Sequence, residues 1–411
     1  MKYSETIDWL FQQFPAYHLL GQQAYNPGLK NTEELADFFG NPQQKLRFVH
    51  VGGTNGKGST SNMLASILTE SGEKVGLFTS PHLFDFTERI RINGQPVDSA
   101  FVIAFCEKVR THKWTIQPSF FEITWMMALS YFEAKECSIV IAEVGLGGRL
   151  DATNIITPVL AIITNIGLDH THLLGDTKAA IAQEKAGIIK KGIPVIIGEP
   201  DSALNQQFDS IIQQVGSTRI TLESITDYPA EIIGYQKKNY QLVLTASTYL
   251  KQIGFQINNN SILKGIQRLK QNTGFIGRLE LVDSTPNVYI DCAHNAHGIA
   301  ELFQSIPPHT GKLHLLYGTS SDKDLTEIAP LFPSNALYYF TTFSNERSAS
   351  TAQLQKNFNE IGEKAIFFEN PLAAYQAMQH AANKNDTCVI FGSFFLIHDF
   401  FELFFQKPLA E

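Results

Sequence analysis

The chain is short of the features that would place it outside a reducing cytoplasm or against a polyanion. Only four of its 411 residues are cysteines (Cys106, Cys137, Cys292 and Cys388), and no two form a CxxC pair. That scatter argues against a zinc site or a disulfide framework and fits buried thiols. Positive charge is scarce as well: 32 Lys and Arg against 40 Asp and Glu leave a net charge of −8. A nucleic-acid or anionic-membrane surface needs clustered cations, so neither partner is expected. No apolar run approaches the about 18 residues of a membrane span. The opening Met1-Lys2-Tyr3-Ser4-Glu5 carries acid early and lacks an apolar secretory core. Repeats and low-complexity tracts are missing too. What remains is 44% hydrophobic and 18% charged, enough apolar matter for real cores. At roughly 150 residues per domain, the length suggests two or three domains. The expectation is a cytoplasmic α/β protein.

Short apolar runs alternate with helical stretches. Strands are predicted over Leu46–Val51, Val75–Thr79, Ile139–Glu143, Val159–Asn165 and Val195–Ile197, with helices over Ser59–Ser71, Phe120–Ala134 and Asp176–Ile189 between them. Near-continuous apolar strands separated by helices indicate a parallel sheet covered on both faces. A second series follows at Val288–Asp291, Leu313–Tyr317, Ala336–Thr341, Ala365–Phe368 and Cys388–Phe391. Polar, strand-like patches from about Thr218 to Leu244 suggest an antiparallel edge or subdomain. A boundary is expected near 276–286, where Gly277 and Thr285-Pro286 precede the second series.

The polar clusters follow the carboxyl ends of the predicted strands, where open α/β sheets bind ligands. After the first strand comes Gly52-Gly53-Thr54-Asn55-Gly56-Lys57-Gly58-Ser59; after the second, Ser80-Pro81-His82. After the third comes Gly145-Leu146-Gly147-Gly148-Arg149-Leu150-Asp151, directly behind Glu143; after the fourth, Gly167-Leu168-Asp169-His170. The glycine-rich turn can aim backbone N–H groups and a helix N-terminus at phosphate, with Lys57 as a mobile charge. It departs from the usual P-loop, since its first glycine is one residue late and Gly58 stands where Ser or Thr normally follows the lysine. Phosphates bring Mg²⁺, which takes oxygen ligands. Ser80, Glu143 and His170 are candidates, although each alone could be a cap, a surface ion pair or a hydrogen-bonded histidine. Lys185 falls near the end of a helix that Asp176 could cap, where a lysine commonly just complements the helix dipole. In the second half, Asp291-Cys292-Ala293-His294-Asn295 and Gly318 to Asp324 follow strands, and Arg278 stands at the presumed hinge.

The strings HVGGTNGKGST (50–60), TSPHL (79–83), EVGLGGRLDATN (143–154), ITNIGLDHT (163–171), IAQEKAGIIKKGIPV (181–195), YQKKN (235–239), GR (277–278) and DCAHN (291–295) run nearly end to end. Together they resemble the folylpolyglutamate synthase/dihydrofolate synthase family of the Mur-ligase-like superfamily. The resemblance implies an ATP-binding Mur-ligase-like domain over 1–280, P-loop-type with helices on both faces of a mostly parallel sheet, and a smaller Rossmann-like ligase domain over 281–411. It implies an ATP-dependent ligase that joins L-glutamate to dihydropteroate and to reduced folates. Thr54, Asn55, Gly56, Lys57, Gly58 and Ser59 match the ATP-phosphate loop; Asn239, Arg278 and Asp291 match further ATP contacts. Ser80, Glu143 and His170 match Mg²⁺ ligands, with two ions expected, and Lys185 matches a carbamylated lysine that serves as another ligand. Phe120, Phe121, Glu122, Leu150, Asp151 and Ala152 match pteroate-holding segments, as does part of 16–28. His294 matches a histidine needed near phosphate and glutamate, so Lys57, Lys185, Arg278 and His294 are the catalytic candidates. The chain departs from the family at Ala296, where Pro is frequent, and at Thr273-Gly274-Phe275-Ile276.

The expected chemistry is activation of a carboxylate as an acyl phosphate, shielded by a closing two-domain cleft. The enzyme is expected to act as a monomer. Two alternatives compete: a peptidoglycan-precursor Mur ligase, disfavoured because only about 45 residues precede the first strand, and a P-loop-like ATPase without ligase activity.

Overall fold

The computed structural model describes residues 2–14, 28–359 and 364–405. It divides into two compact units, Met1–Ile232 with Gln236–Phe275, and Ile233–Tyr235 with Ile276–Glu411.

Among its described residues the first unit has eight strands: β1 (Phe48–Gly52), β2 (Val75–Phe78), β3 (Ile90–Ile92), β4 (Gln95–Pro96), β5 (Ile139–Glu143), β6 (Leu160–Ile163), β7 (Pro194–Ile197) and β8 (Thr218–Ile220). They form one sheet in the order β4-β3-β2-β5-β1-β6-β7-β8. The pairs are parallel except the two that β3 makes, with β2 and with β4. Alternation sends Val49 and Val51 to one face, under the Lys57–Glu70 and Gln236–Gln252 helices, and Phe48 to the other, under Phe120–Ala134. Covering both faces is why the central strands read as continuous apolar runs. A third core joins Ala161 and Ile163 of β6 and Val195 and Ile197 of β7 to the Lys178–Ala186 and Ser202–Val215 helices, through Ile181, Ala182, Leu204 and Phe208.

Two expectations need correcting. The 218–244 stretch is not an antiparallel edge: β8 pairs parallel with β7, and Gln236–Gln252 is a helix whose buried residues include Asn239, Val243, Ala246 and Leu250. That three-to-four spacing is helical, and the polar residues misled because several of them are buried against the rest of the unit. The helix bearing Lys185 is Lys178–Ala186, and its cap is Thr177 rather than Asp176; the Thr177 hydroxyl accepts from the Ala180 N–H.

The second unit holds β9 (Glu280–Ser284), β10 (Asn287–Asp291), β11 (Leu313–Tyr317), β12 (Ala336–Thr341), β13 (Ala365–Phe368) and β14 (Thr387–Phe391), in the order β13-β12-β11-β14-β10-β9. All pairs are parallel except β9 with β10. All four cysteines are buried free thiols, and no helix among the described residues is long and apolar enough to cross a membrane.

Candidate active site

In the first unit β2, β5, β1 and β6 are neighbours, so the loops after their carboxyl ends come together. The glycine-rich turn lies between β1 and the Lys57–Glu70 helix. Gly53 (φ +137°) and Gly56 (φ +83°) have backbone angles that side chains rarely adopt, and a Cβ at either would strike Thr164 or Asn239. The turn is held from β6: Asn55 N–H donates to Asn165 Oδ1 (2.9 Å), and Thr164 Oγ1 donates to the Asn55 carbonyl (2.6 Å). Thr54 N–H donates to the Asn165 carbonyl (2.9 Å), and the Lys57 ammonium to the Thr54 carbonyl (3.0 Å). Gln236 Nε2 donates to Ser59 Oγ (3.2 Å), while its carbonyl oxygen accepts from Asn239 Nδ2 (2.9 Å). Thr164, Asn165 and Gln236 were not singled out from sequence, although a polar pair closing an apolar strand was the available signal for the first two.

Lys185 is buried, and its Nζ donates to the Gly53 carbonyl (2.8 Å), so it serves the turn and not merely its own helix end. Burial lowers its pKa to about 7, helped by Lys57 and opposed by Asp169 and Asp151. Glu143 is buried at the end of β5 and accepts from the Ser80 N–H (3.2 Å). His170 has a left-handed backbone (φ 51°) and lies 3.9 Å from Asp169. Among the described residues no three His, Cys, Asp or Glu side chains gather as a metal cluster. The oxygen donors of Glu143 and Ser80 beside a phosphate-type turn nevertheless suit Mg²⁺, which leans on phosphate oxygens and few protein ligands.

The remaining candidates sort by burial. Phe120 is buried and stacks on Phe11 (4.9 Å), and Glu122 is buried as the reciprocal partner of Ser119 in a capping box. Phe121 is half-buried against Gly145. Leu150 is half-buried, Ala152 is buried, and the buried Asp151 accepts from the Leu146 N–H (2.8 Å). The 16–28 stretch lies outside the described residues except for Gly28.

In the second unit Asp291 is buried and accepts from the N–H groups of Leu279 and Ala293 (both 2.7 Å) and from the Tyr235 hydroxyl (2.5 Å). Arg278 is half-buried with its guanidinium 4.9 Å from the Phe394 ring centroid. His294 Nδ1 lies 2.9 Å from the Cys292 carbonyl. A carbonyl only accepts, so Nδ1 is the donor in that bond.

Comparison with known proteins decides the family. The Mur ligase middle domain matches residues 51–258, and the Mur ligase glutamate ligase domain matches 277–394. The dihydrofolate synthase/folylpolyglutamate synthase of Buchnera aphidicola (subsp. Schizaphis graminum) is 33% identical, covering 87% of this chain and 88% of its own. That of Bacillus subtilis is 32% identical, covering 91% and 94%. The chain belongs to the dihydrofolate synthase/folylpolyglutamate synthase family. E. coli FolC in complex with DHPP and ADP has the same fold, with a TM-score of 0.85 at 28% identity over 99% of this chain and 98% of that one. Membership in this family makes the chain an ATP-dependent glutamate ligase that forms C–N bonds, and favours that reading over a peptidoglycan-precursor ligase or a bare ATPase.

Proposed function

We propose that the enzyme adds L-glutamate both to dihydropteroate and to reduced folates through an acyl phosphate, acting as a cytoplasmic monomer. The observation that carries the site assignment is Lys185: a buried amine, shifted to about 7, held on the backbone of a phosphate-type turn. An amine in that state is partly neutral near pH 7 and can add to CO₂, losing a proton to become a carbamate. Ser80, Glu143, His170 and the carbamate of Lys185 would then hold Mg²⁺. When bound, the metal offsets phosphate charge and polarises the transferred group.

The substrate carboxylate attacks the γ-phosphorus of ATP; the bond to the β–γ bridging oxygen breaks, and ADP leaves. Backbone N–H groups of Thr54 to Ser59 and the Lys57 ammonium orient the phosphates, and Arg278 adds fixed positive charge. Asn239 and Asp291 contact the rest of the nucleotide. The glutamate amine attacks the acyl carbonyl, phosphate departs with an oxygen of the original acid, and His294 takes the amine proton. Phe121, Leu150 and Ala152 line the pteroate side. The complexes of relatives support this reading: FolC from E. coli is described with DHPP and ADP, and a Yersinia pestis enzyme with AMPPNP and Mn ion. A third is described with Mn, AMPPNP and L-glutamate bound. The buried free thiols fit a reducing compartment.

The test supplies ATP, Mg²⁺ and glutamate with dihydropteroate or tetrahydrofolate in separate reactions, measuring conjugate and ADP. Carboxylate ¹⁸O should appear in the released phosphate. Its absence rules out the acyl phosphate, and conjugate from only one acid rules out dual activity.

A further inference from the structure

One buried chain of hydrogen bonds runs from the middle of β1 to the 146–151 loop. His50 lies in the middle of β1 and is fully buried, two residues before the glycine-rich turn. Its Nε2 is 2.8 Å from Thr153 Oγ1. The Thr153 hydroxyl hydrogen is committed to Asp151 Oδ1, and Asp151 also accepts from Thr153 N–H (3.0 Å). Thr153 Oγ1 must therefore accept from His50, which fixes the proton on Nε2. The other Asp151 oxygen receives Leu146 N–H, closing the 146–151 loop. That loop is docked on the Lys185 helix: Arg149 N–H donates to the Glu184 carbonyl (2.8 Å), and Asn154 Nδ2 donates to the carbonyls of Arg149 and Gly187 (both 3.0 Å).

We infer that His50 is a positioning residue for the ligase reaction, a fixed donor that orients Thr153 and through it Asp151, so that the 146–151 loop is held for the acid substrate. This rests on the proposed use of that loop by the pteroate. Burial, with Lys190 nearby, depresses the His50 pKa to about 3, so the ring stays neutral and serves as a donor post rather than a proton shuttle.

His50→Leu removes the donor, whereas His50→Gln carries an amide N–H to about the reach of Nε2. His50→Leu should raise KM for dihydropteroate about tenfold while leaving ADP affinity within about twofold, and His50→Gln should recover most of the loss. Thr153→Val should match His50→Leu, and the double variant should add little to either, as expected for one linked chain. Amide exchange at Leu146 should speed up in His50→Leu, a readout that needs no substrate. Unchanged KM and unchanged exchange overturn the inference, as do additive losses or a His50→Gln variant that folds yet recovers nothing. Faster exchange with no conjugate formed by the unaltered enzyme would fault the function reading and leave the positioning role standing.

Discussion

Each unit places a basic side chain at its candidate site, Lys185 buried and Arg278 half-buried, and the two are treated oppositely. Lys185 has burial and Lys57 working against its charge, and its pKa falls to about 7. Arg278 also feels burial pulling its pKa down, but Cys292, Asp291 and Tyr235 together outweigh it and the pKa is raised. The first arrangement yields a nitrogen that can lose its proton and react; the second yields a permanent charge. On the proposed reading, Lys185 is the amine that can be modified and Arg278 a charge that stays fixed.

The sharpest way to break this comparison is to remove the reactive nitrogen. Lys185→Ala should lower glutamate-dependent ADP formation by roughly a thousandfold, with partial recovery on adding a short carboxylate. Full activity in that variant would refute the role. Lys57→Ala removes the charge we propose for the phosphates, and by lifting its repulsion also lets the Lys185 pKa rise; it should cost about a hundredfold in kcat, read from the same assay. If both hydrolysis and ligation persist, the phosphate assignment is wrong. Arg278→Lys keeps the sign of the charge but loses the planar group over Phe394, and should cost about tenfold in kcat/KM for ATP. A loss equal to that of Lys185→Ala would erase the distinction between the units.

The central parallel strands of both sheets were legible because burial on two faces leaves little room for polar residues, and Ile139–Glu143 and Leu313–Tyr317 coincide with their predicted bounds; β3, β4 and β9, in the antiparallel pairs at the sheet edges, were not named. The Gln236–Gln252 helix was not legible, because Gln236 and Asn239 are buried for their contacts with Ser59 and with each other, which a local pattern does not reveal. Lys185 illustrates the same limit. Its neighbours in sequence suggest only a helix-end charge, while the partner that matters, Gly53, lies 132 residues away. Family resemblance supplied what periodicity lacked.

The smallest effect concerns stability and compares buried histidines. His50 has no carboxylate in direct contact and falls to about 3, whereas His314, lowered by burial, has Asp386 opposing the shift at 3.2 Å. An unfolded histidine takes up a proton below about 6.5, and folded His50 does not until about 3. The unfolded state thus binds more protons across that window, so stability falls as pH drops from about 6.5 toward 3. His50→Gln should show little stability change from this source at pH 7 and a relative gain as pH falls, counted at roughly 1.4 kcal/mol per pKa unit as an upper bound. His314→Gln should gain less, because folded His314 is better able to accept the proton beside Asp386. Thermal unfolding of the three proteins between pH 7 and 4 reads this directly, and parallel curves would mean that the two histidines do not differ in the way their surroundings imply.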